Sequence, residues 1–466
     1  MKIINMLKLS AICLLMGFSQ LFGQGGLPNL QPDLQNYREP GYEGLNEFDN
    51  GMKQRNSDEY EGMAVRVGGD FALQFQGLNH ETSTNIGDDM GSRYFNGLVP
   101  IGTSVNLPTA NLNVDAQLAK GMRVHLRTYL SSRHHNETWV KGGYVYISSL
   151  DFIKEGFAED FMENFSIRAG QDNFNYGDAV SRRTDNAMAI YNPFVGNYIM
   201  DMNTVEPFVE LNYFPGDLIL VVGASTGILN PTVVVKEDEK YPPSFHGKLG
   251  WDSQINEDLR VRLTGSMYFS NSFNTGTHLY NGDRAGARYY KTLDYNYINK
   301  SDSSTATQTN DFSLRFNPGI KNGLAFQINP FVKFKGLEFF GIFEMNSGFT
   351  SSTIEETSGS SKASYTQLGA ELIYRFGSWE QFYVGGRFNN VSGHQDYIAT
   401  EAPTQEINRL NFGAGWFLTQ NVLVKLEYMM QTYNENSATE MPWAGNNMNL
   451  NGSTVNGVVL EAVISF

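Results

Sequence analysis

In DLRVRLTGSMYF, residues 258 to 269, Leu259, Val261, Leu263, Met267 and Phe269 fall on one side of an extended chain, and Arg260, Arg262, Thr264, Ser266 and Tyr268 fall on the other. Side chains of a strand alternate between its faces, so this spacing is that of a strand with one apolar and one charged face. The pattern recurs. VVLEAVISF at the C-terminus sets Val458, Leu460, Ala462, Ile464 and Phe466 against Val459, Glu461, Val463 and Ser465. NVLVKLEYMMQ sets Val422, Val424, Leu426, Tyr428 and Met430 against Leu423, Lys425, Glu427 and Gln431, and MRVHLRTYL sets Val124, Leu126 and Leu130 against Arg123, His125, Arg127 and Tyr129. A wall with lipid on one side and water on the other accommodates both faces. A soluble β-sandwich would need a second sheet over every apolar face and would leave paired arginines in solvent on many strands. Composition favours the membrane wall, because 24 tyrosines and 32 phenylalanines, many at strand ends, suit aromatic girdles at the two interfaces. After residue 23 no run approaches the roughly 18 apolar residues of a membrane helix.

The ends of the chain give the compartment. Lys2 and Lys8 precede LSAICLLMGF and then Gly23, the layout of a secretory leader over residues 1 to 23. Cys13, the one cysteine, lies inside that apolar block after Ile12 rather than after a small residue, so a lipid anchor is not expected. The mature chain then uses neither disulfides nor thiolates. Residues 24 to 61 are polar, with Pro28, Pro32 and Pro40, and read as a periplasmic arm or a partial plug. Residues 62 to 466 read as the transmembrane β-barrel.

Seventeen strand-like runs can be marked, yet an outer-membrane barrel takes an even number with both ends in the periplasm. Counting back from Phe466 puts short turns at 119 to 121, 215 to 217, 254 to 257, 335 to 336, 377 to 380 and 418 to 420, with longer polar connections between them. The rhythm holds if DFSLRFNP, 311 to 318, belongs to the fifth external loop. The expected fold is therefore all-β, a closed antiparallel transmembrane barrel of sixteen strands, with eighteen as the alternative. The connection 151 to 163 is long for a periplasmic turn and reads as a short amphipathic helix with Phe152, Phe157 and Phe161 on one side. The third external loop, 175 to 204, carries Met188, Ile190, Phe194, Val195, Tyr198 and Ile199, which need burial. Folding inward would bury them and bring Arg182, Arg183, Asp185 and Asp201 into the lumen as a constriction. Packing over the mouth or against a neighbouring subunit are the other seats.

Two segments carry a resemblance: IRAGQDNFNYGDAVSRRTDNAMAIYNPFVGNYIMD at 167 to 201, and the terminal VVLEAVISF with its final Phe466. The chain resembles outer-membrane porins of Bacteroidota and, more loosely, the phosphate-selective porin O/P superfamily. The resemblance implies a sixteen-stranded, trimeric barrel with an inward-folded third loop, in contact with outer-membrane lipid and lipopolysaccharide. It also implies that Phe466 is the signal read by the barrel assembly machinery. The basic ladder of the phosphate channels cannot be matched residue by residue.

On the inward phase, bases outnumber acids although the whole chain is net −15. Such a bias in a narrow lumen concentrates anions. Arg123, Arg127, Arg260, Arg262, Lys333 and Lys335 are the expected anion path. No histidine accompanies a nucleophile motif, no acidic stretch has calcium-loop spacing, and no basic run is interleaved with aromatics. Neither an enzyme, a metal, a cofactor nor a nucleic-acid partner is therefore expected. The expected function is a diffusion channel for small hydrophilic solutes with a weak anion preference. The alternatives are a non-conducting partner barrel and a plugged transporter for bulky or hydrophobic substrates.

Overall fold

Every alternating run quoted above becomes a strand, because only a closed ring of strands satisfies all backbone donors and acceptors inside lipid. The structure is a computed structural model that describes residues 31–49, 60–131, 135–185, 187–226, 242–273, 279–280, 284–309, 312–398, 402–434 and 450–466. The expected leader, 1 to 23, and parts of the expected arm lie outside the described residues.

The wall consists of β1 Ala64–Glu81, β2 Ser104–Ala119, β3 Met122–Ser131, β4 His135–Ile147, β5 Phe165–Asn173, β6 Val205–Tyr213, β7 Leu218–Ser225 and β8 Ser244–Asn256. It continues with β9 Leu259–Asn271, β10 Asn322–Phe334, β11 Leu337–Phe349, β12 Ala363–Phe376, β13 Phe382–His394, β14 Gln405–Thr419, β15 Val422–Tyr433 and β16 Thr454–Ser465. Each pairs antiparallel with its neighbours in sequence, and β16 pairs with β1 to close a sixteen-stranded barrel. The eighteen-stranded alternative is thereby excluded. Phe312 and Phe316 stand off the wall, bridging to Tyr290 and Met200, as expected for the fifth loop.

Closure is tight at the C-terminus. The Phe466 N–H donates to the Gly69 carbonyl and the Gly69 N–H donates to the Phe466 carbonyl, both at 3.0 Å. A Cβ at Gly68 would lie 2.6 Å from that Phe466 oxygen, and one at Gly69 would lie 2.8 Å from the Phe466 ring. Only glycine lets the last strand approach so closely.

The two faces separate as the alternation requires. Leu263, Met267 and Leu426 are about half exposed, at 52%, 48% and 51%, whereas Arg262, Lys425 and Glu461 on the other phase are at 1% or less. The exposed apolar face is the lipid surface. Aromatic rings line its periplasmic rim, with Phe382 5.6 Å from Phe376 and 5.5 Å from Trp416 between ring centres. The wall is a membrane-spanning barrel of the outer-membrane type. The long turn between β4 and β5 contains a single helical turn, Glu159–Met162, whose exposed Phe161 stacks on Phe165 at 4.1 Å.

Two small sheets have no precursor in the alternation count, the lesser being Ser360–Ser361 paired with Tyr397–Ile398. Arg93–Leu98 of the first external loop pairs with Tyr295–Asn299 of the fifth, which pairs with Thr305–Gln308, giving a three-stranded sheet separate from the wall.

Candidate functional site

The inward phase of the wall is not uniformly polar. Ala72, Ile373, Tyr383, Phe417, Leu423 and Val463 interrupt it, and they form one buried cluster with Ala189, Ile190, Tyr191 and Phe194. The third external loop, between β5 and β6, has therefore folded into the barrel and laid its apolar residues on an apolar seat. It turns inward at Gly177, whose φ of 67° is left-handed and where a Cβ would stand 2.0 Å from Gln327 Oε1. No side chain fits there.

A loop buried this way must find partners for backbone groups that no helix or sheet satisfies. The wall supplies them. Asn329 accepts from the N–H of Asp178 at 3.0 Å, Glu427 from Val195 at 2.9 Å, Asn389 from Ile199 at 2.7 Å and Gln367 from Met200 at 3.0 Å. Lys425 donates to the Ala189 carbonyl at 2.8 Å, Arg387 to Gly196 at 2.6 Å and Arg409 to Asn197 at 3.0 Å. Strands β10 and β12 to β15 thus grip the loop backbone directly.

The four charged loop residues are all inside. Arg182 pairs with Glu371 of β12 at 2.9 Å, lies over the Phe340 ring at 4.2 Å and donates to Asn46 at 2.7 Å. Arg183 pairs with Asp185 at 2.9 Å and with Asp201. Lys141 of β4 reaches Asp185 from the opposite wall at 2.9 Å. Burial alone would raise the Asp185 carboxyl, but Arg183 and Lys141 outweigh it and hold it well below the usual aspartate range. Asp201 goes the other way: burial outweighs Arg183, and neighbouring Asp185 adds to the rise.

Residues 34 to 49 enter the lumen beneath this loop. The Arg38 guanidinium lies 3.6 Å over the Tyr191 ring and donates to the carbonyls of Ser181 and Glu47, both at 2.7 Å. Phe48 packs on Phe331 and Phe340, with ring centres 5.3 and 5.7 Å away. Asn46 donates to Glu338 at 2.7 Å. Asp49 joins a buried cluster in which Arg262 reaches Asp49 and Asp252 at 2.9 Å and Asp178 at 2.8 Å, while Lys248 reaches Asp178 at 3.0 Å. There, too, Arg262 and Lys248 overcome burial and keep Asp178 below its ordinary range.

The cations of the expected anion path have partners. Arg123 pairs with Asp115, Arg127 with Asp172 at 2.9 Å, and Arg260 with Asp252 at 2.9 Å and Glu47 at 2.5 Å. Lys333 reaches Glu380 at 3.0 Å and Glu338 at 3.2 Å. Lys335 stands in the turn between β10 and β11 with its side chain 64% exposed, 3.7 Å from Asp258. It is no part of a buried lumen set. Asp172 and Asp252 lie within β5 and β8, while Asp49 comes from the arm and Asp178 from the loop, so these partners reach the cations from different parts of the chain. A buried cation requires such partners.

Polar cavities lie beside these pairs. One, of about 90 Å³, is lined by Tyr37, Asn113, Asp115, Arg123, His125, Arg127 and Asp172 among others; the second, of about 200 Å³, lies among Glu47, Arg260, Lys333, Arg375 and Glu380. Among the described residues no group of three or more His, Cys, Asp or Glu side chains could hold a metal ion.

No family model and no curated protein matches the sequence. Solved barrels are similar in fold. OmpT of Vibrio cholerae is 9% identical, over 88% of this chain and 99% of that one, with a TM-score of 0.48. The outer-membrane channel DcaP of Acinetobacter baumannii is 11% identical over the same shares, also at 0.48. An anion-selective porin from Comamonas acidovorans is 10% identical, over 87% of this chain and 100% of that one, at 0.45.

Proposed function

We propose that the protein is a diffusion channel for small hydrophilic solutes in the outer membrane of a Gram-negative bacterium, held in a narrow state by loop 3 and by residues 34 to 49. The observation that carries this reading is the contrast between the faces: lipid-facing apolar side chains outside, and inside a lumen whose charged side chains grip the loop and arm beside an apolar cluster that packs loops 3 and 5 against the wall. Arg182, Arg183, Asp185 and Asp201 are the constriction. Arg123, Arg127, Arg260, Arg262 and Lys333 line its surroundings, and because each has a carboxylate partner the anion preference proposed is weak. Phe466, sealed to Gly69, serves as the assembly signal, lipid and lipopolysaccharide surround the wall, and the working unit is a trimer.

Single-channel conductance and the reversal potential in a KCl gradient test this. The expected result is a small conductance with a slight anion bias that rises when residues 34 to 49 are removed. Silence in both forms would overturn the proposal and favour a non-conducting partner barrel, the reading for which the filled lumen speaks.

A further inference from the structure

The loop's grip on the wall is one-sided. Its hydrogen bonds run to β4 through β6 and to β8 through β15, the β6 contact being Glu210, which accepts from the Asn175 N–H at 2.5 Å, and the β11 contact being Glu344, which accepts from Tyr176 at 2.9 Å. The stretch of wall formed by β1 and β2, by contrast, carries inward polar atoms that nothing among the described residues satisfies. Asp70 is fully buried, neither of its carboxylate oxygens accepts a hydrogen bond, and no cation of the described residues pairs with it. Gln74, four residues higher on β1, is also fully buried with both amide atoms unpartnered. Across the sheet the side-chain oxygens of Asn106, Asn111 and Asn113 on β2 are buried and unpartnered too. Register makes this one strip, since Asp70 stands opposite Asn111 and Gln74 opposite Asn106.

Leaving a buried polar group without a partner is costly, and more so for a charge. Five such side chains on one strip make it the place where separating the packed loops from the wall is opposed least, because water or a polar solute supplies the missing bonds. One loop bond crosses the strip, from Arg288 to Thr109 at 2.5 Å, whereas over β8 to β15 separation breaks many such bonds. The strip also leads somewhere. Asp70 is opposite Ser465 on its other side, and Ser465 and Asn113 line the 90 Å³ cavity that holds Asp115, Arg123 and Arg127. At its upper end two 2.8 Å hydrogen bonds between Gln76 and the backbone of Tyr290 close the strip from outside.

We propose that water and solutes pass along the seam between strands β1 and β2 and the packed loops, and that Asp70 is a local cation-attracting point within it. The seam rests on the channel reading for its function. Its physical content, a polar strip that hydrates, does not. Opening requires the Gln76–Tyr290 pair and the Arg288–Thr109 bond to part and loop 3 to lift from Ala72, after which a solute meets Gln74, then Asp70, then the arginine cavity. Asp70, on which Arg288 and Lys425 also act, gives the seam a local preference for cationic or ammonium-bearing reagents at mid-wall, within a channel whose overall bias stays weakly anionic.

Substituted-cysteine labelling tests this in the full chain with Cys13→Ser. Gln74→Cys is compared with Gln431→Cys, a position on β15 whose native side chain is buried and fully engaged with Arg409 at 2.7 Å and Tyr433 at 2.9 Å. Positively and negatively charged methanethiosulfonate reagents are applied to the folded protein, and adduct mass and conductance are read together. The seam predicts labelling of the Gln74→Cys variant at least tenfold faster than of the Gln431→Cys variant, a faster rate for the cationic reagent, and a drop in conductance as label accumulates. Adding Asp70→Asn to Gln74→Cys should cut the cation-to-anion rate ratio severalfold; if that double variant does not assemble, the ratio in Gln74→Cys alone carries the charge claim. Equal or absent labelling of the two variants overturns the seam even if the protein conducts. Rapid labelling of Gln74→Cys in a protein without conductance keeps the seam and overturns the channel.

Discussion

Arg262→Gln separates a structural from a permeation role for the lumen cations. The guanidinium makes five hydrogen bonds, to Asp178 at 2.9 and 2.8 Å, to Asp49 at 2.9 and 3.4 Å, and to Asp252 at 2.9 Å. These join the wall to the loop through Asp178 and to the arm through Asp49. Removing one partner of a buried charge pair costs about 3–5 kcal/mol. The lower end, about 3 kcal/mol, applies here because glutamine keeps an amide donor and Lys248 still holds Asp178. The barrel's own backbone ladder is untouched, so the loss falls on the seating of arm and loop. About 3 kcal/mol is roughly a hundredfold in the equilibrium between seated and released arm. Hydrogen–deuterium exchange of residues 42 to 49, whose amides at Gly44, Leu45 and Glu47 bond within the arm, reads that equilibrium. Exchange should speed up about a hundredfold while the wall amides keep their protection. Unchanged exchange together with a reversal potential moved toward cations would refute the reasoning and make Arg262 a solvated charge in the path.

Deleting residues 186 to 200 should raise single-channel conductance severalfold in a barrel that still resists heat on semi-native gels; unchanged conductance would place the loop off the path. Gly68→Val should sharply reduce the amount of assembled barrel, read as the heat-resistant band, because its side chain meets the Phe466 carbonyl. The pH dependence has a definite sign. Asp178 and Asp185 are depressed in the folded protein, so their stabilisation is complete above the unfolded value near about 3.9 and is lost as pH falls through the folded values. The part of loop exchange that reports Asp178 and Asp185 should stay flat between about pH 8 and pH 5 and rise only below about pH 4, whereas Asp201, raised by burial, adds a contribution of opposite sign that speeds exchange as pH rises above its unfolded value.

The wall was legible because it depends on a backbone period that each strand displays by itself. Lys425 and Glu427 had to point one way and Leu426 and Tyr428 the other, whatever the rest of the chain did. The site depends on pairings between segments far apart in sequence, which no local period displays. Glu47 and Asp49 look like solvated residues of a polar arm until Arg260 and Arg262 are placed above them. One signal was present and unread: Leu423, Val463, Ile373 and Tyr383 are apolar residues on an otherwise polar phase, and they mark where the apolar loop sits. The sheet shared by the first and fifth external loops left no such mark, since its strands are short and both loops read as polar connections.

The apolar seat has a consequence for the order of assembly. Its floor includes Leu423 and Val463, from the last two strands made, while the residues that rest on it, Ile190 and Phe194, belong to the first half of the chain. The bonds from Lys425 to Ala189 and from Val195 to Glu427 span 236 and 232 residues. Contacts of that separation are slow to form. Until β15 and β16 arrive, the seat formed by Ala72, Ile373, Tyr383 and Phe417 lacks Leu423 and Val463, so a chain interrupted before residue 422 would carry loop 3 incompletely seated. The seating of loop 3 is then a late product of biogenesis, completed when the first and last strands meet, and an unfinished barrel would hold that loop loosely.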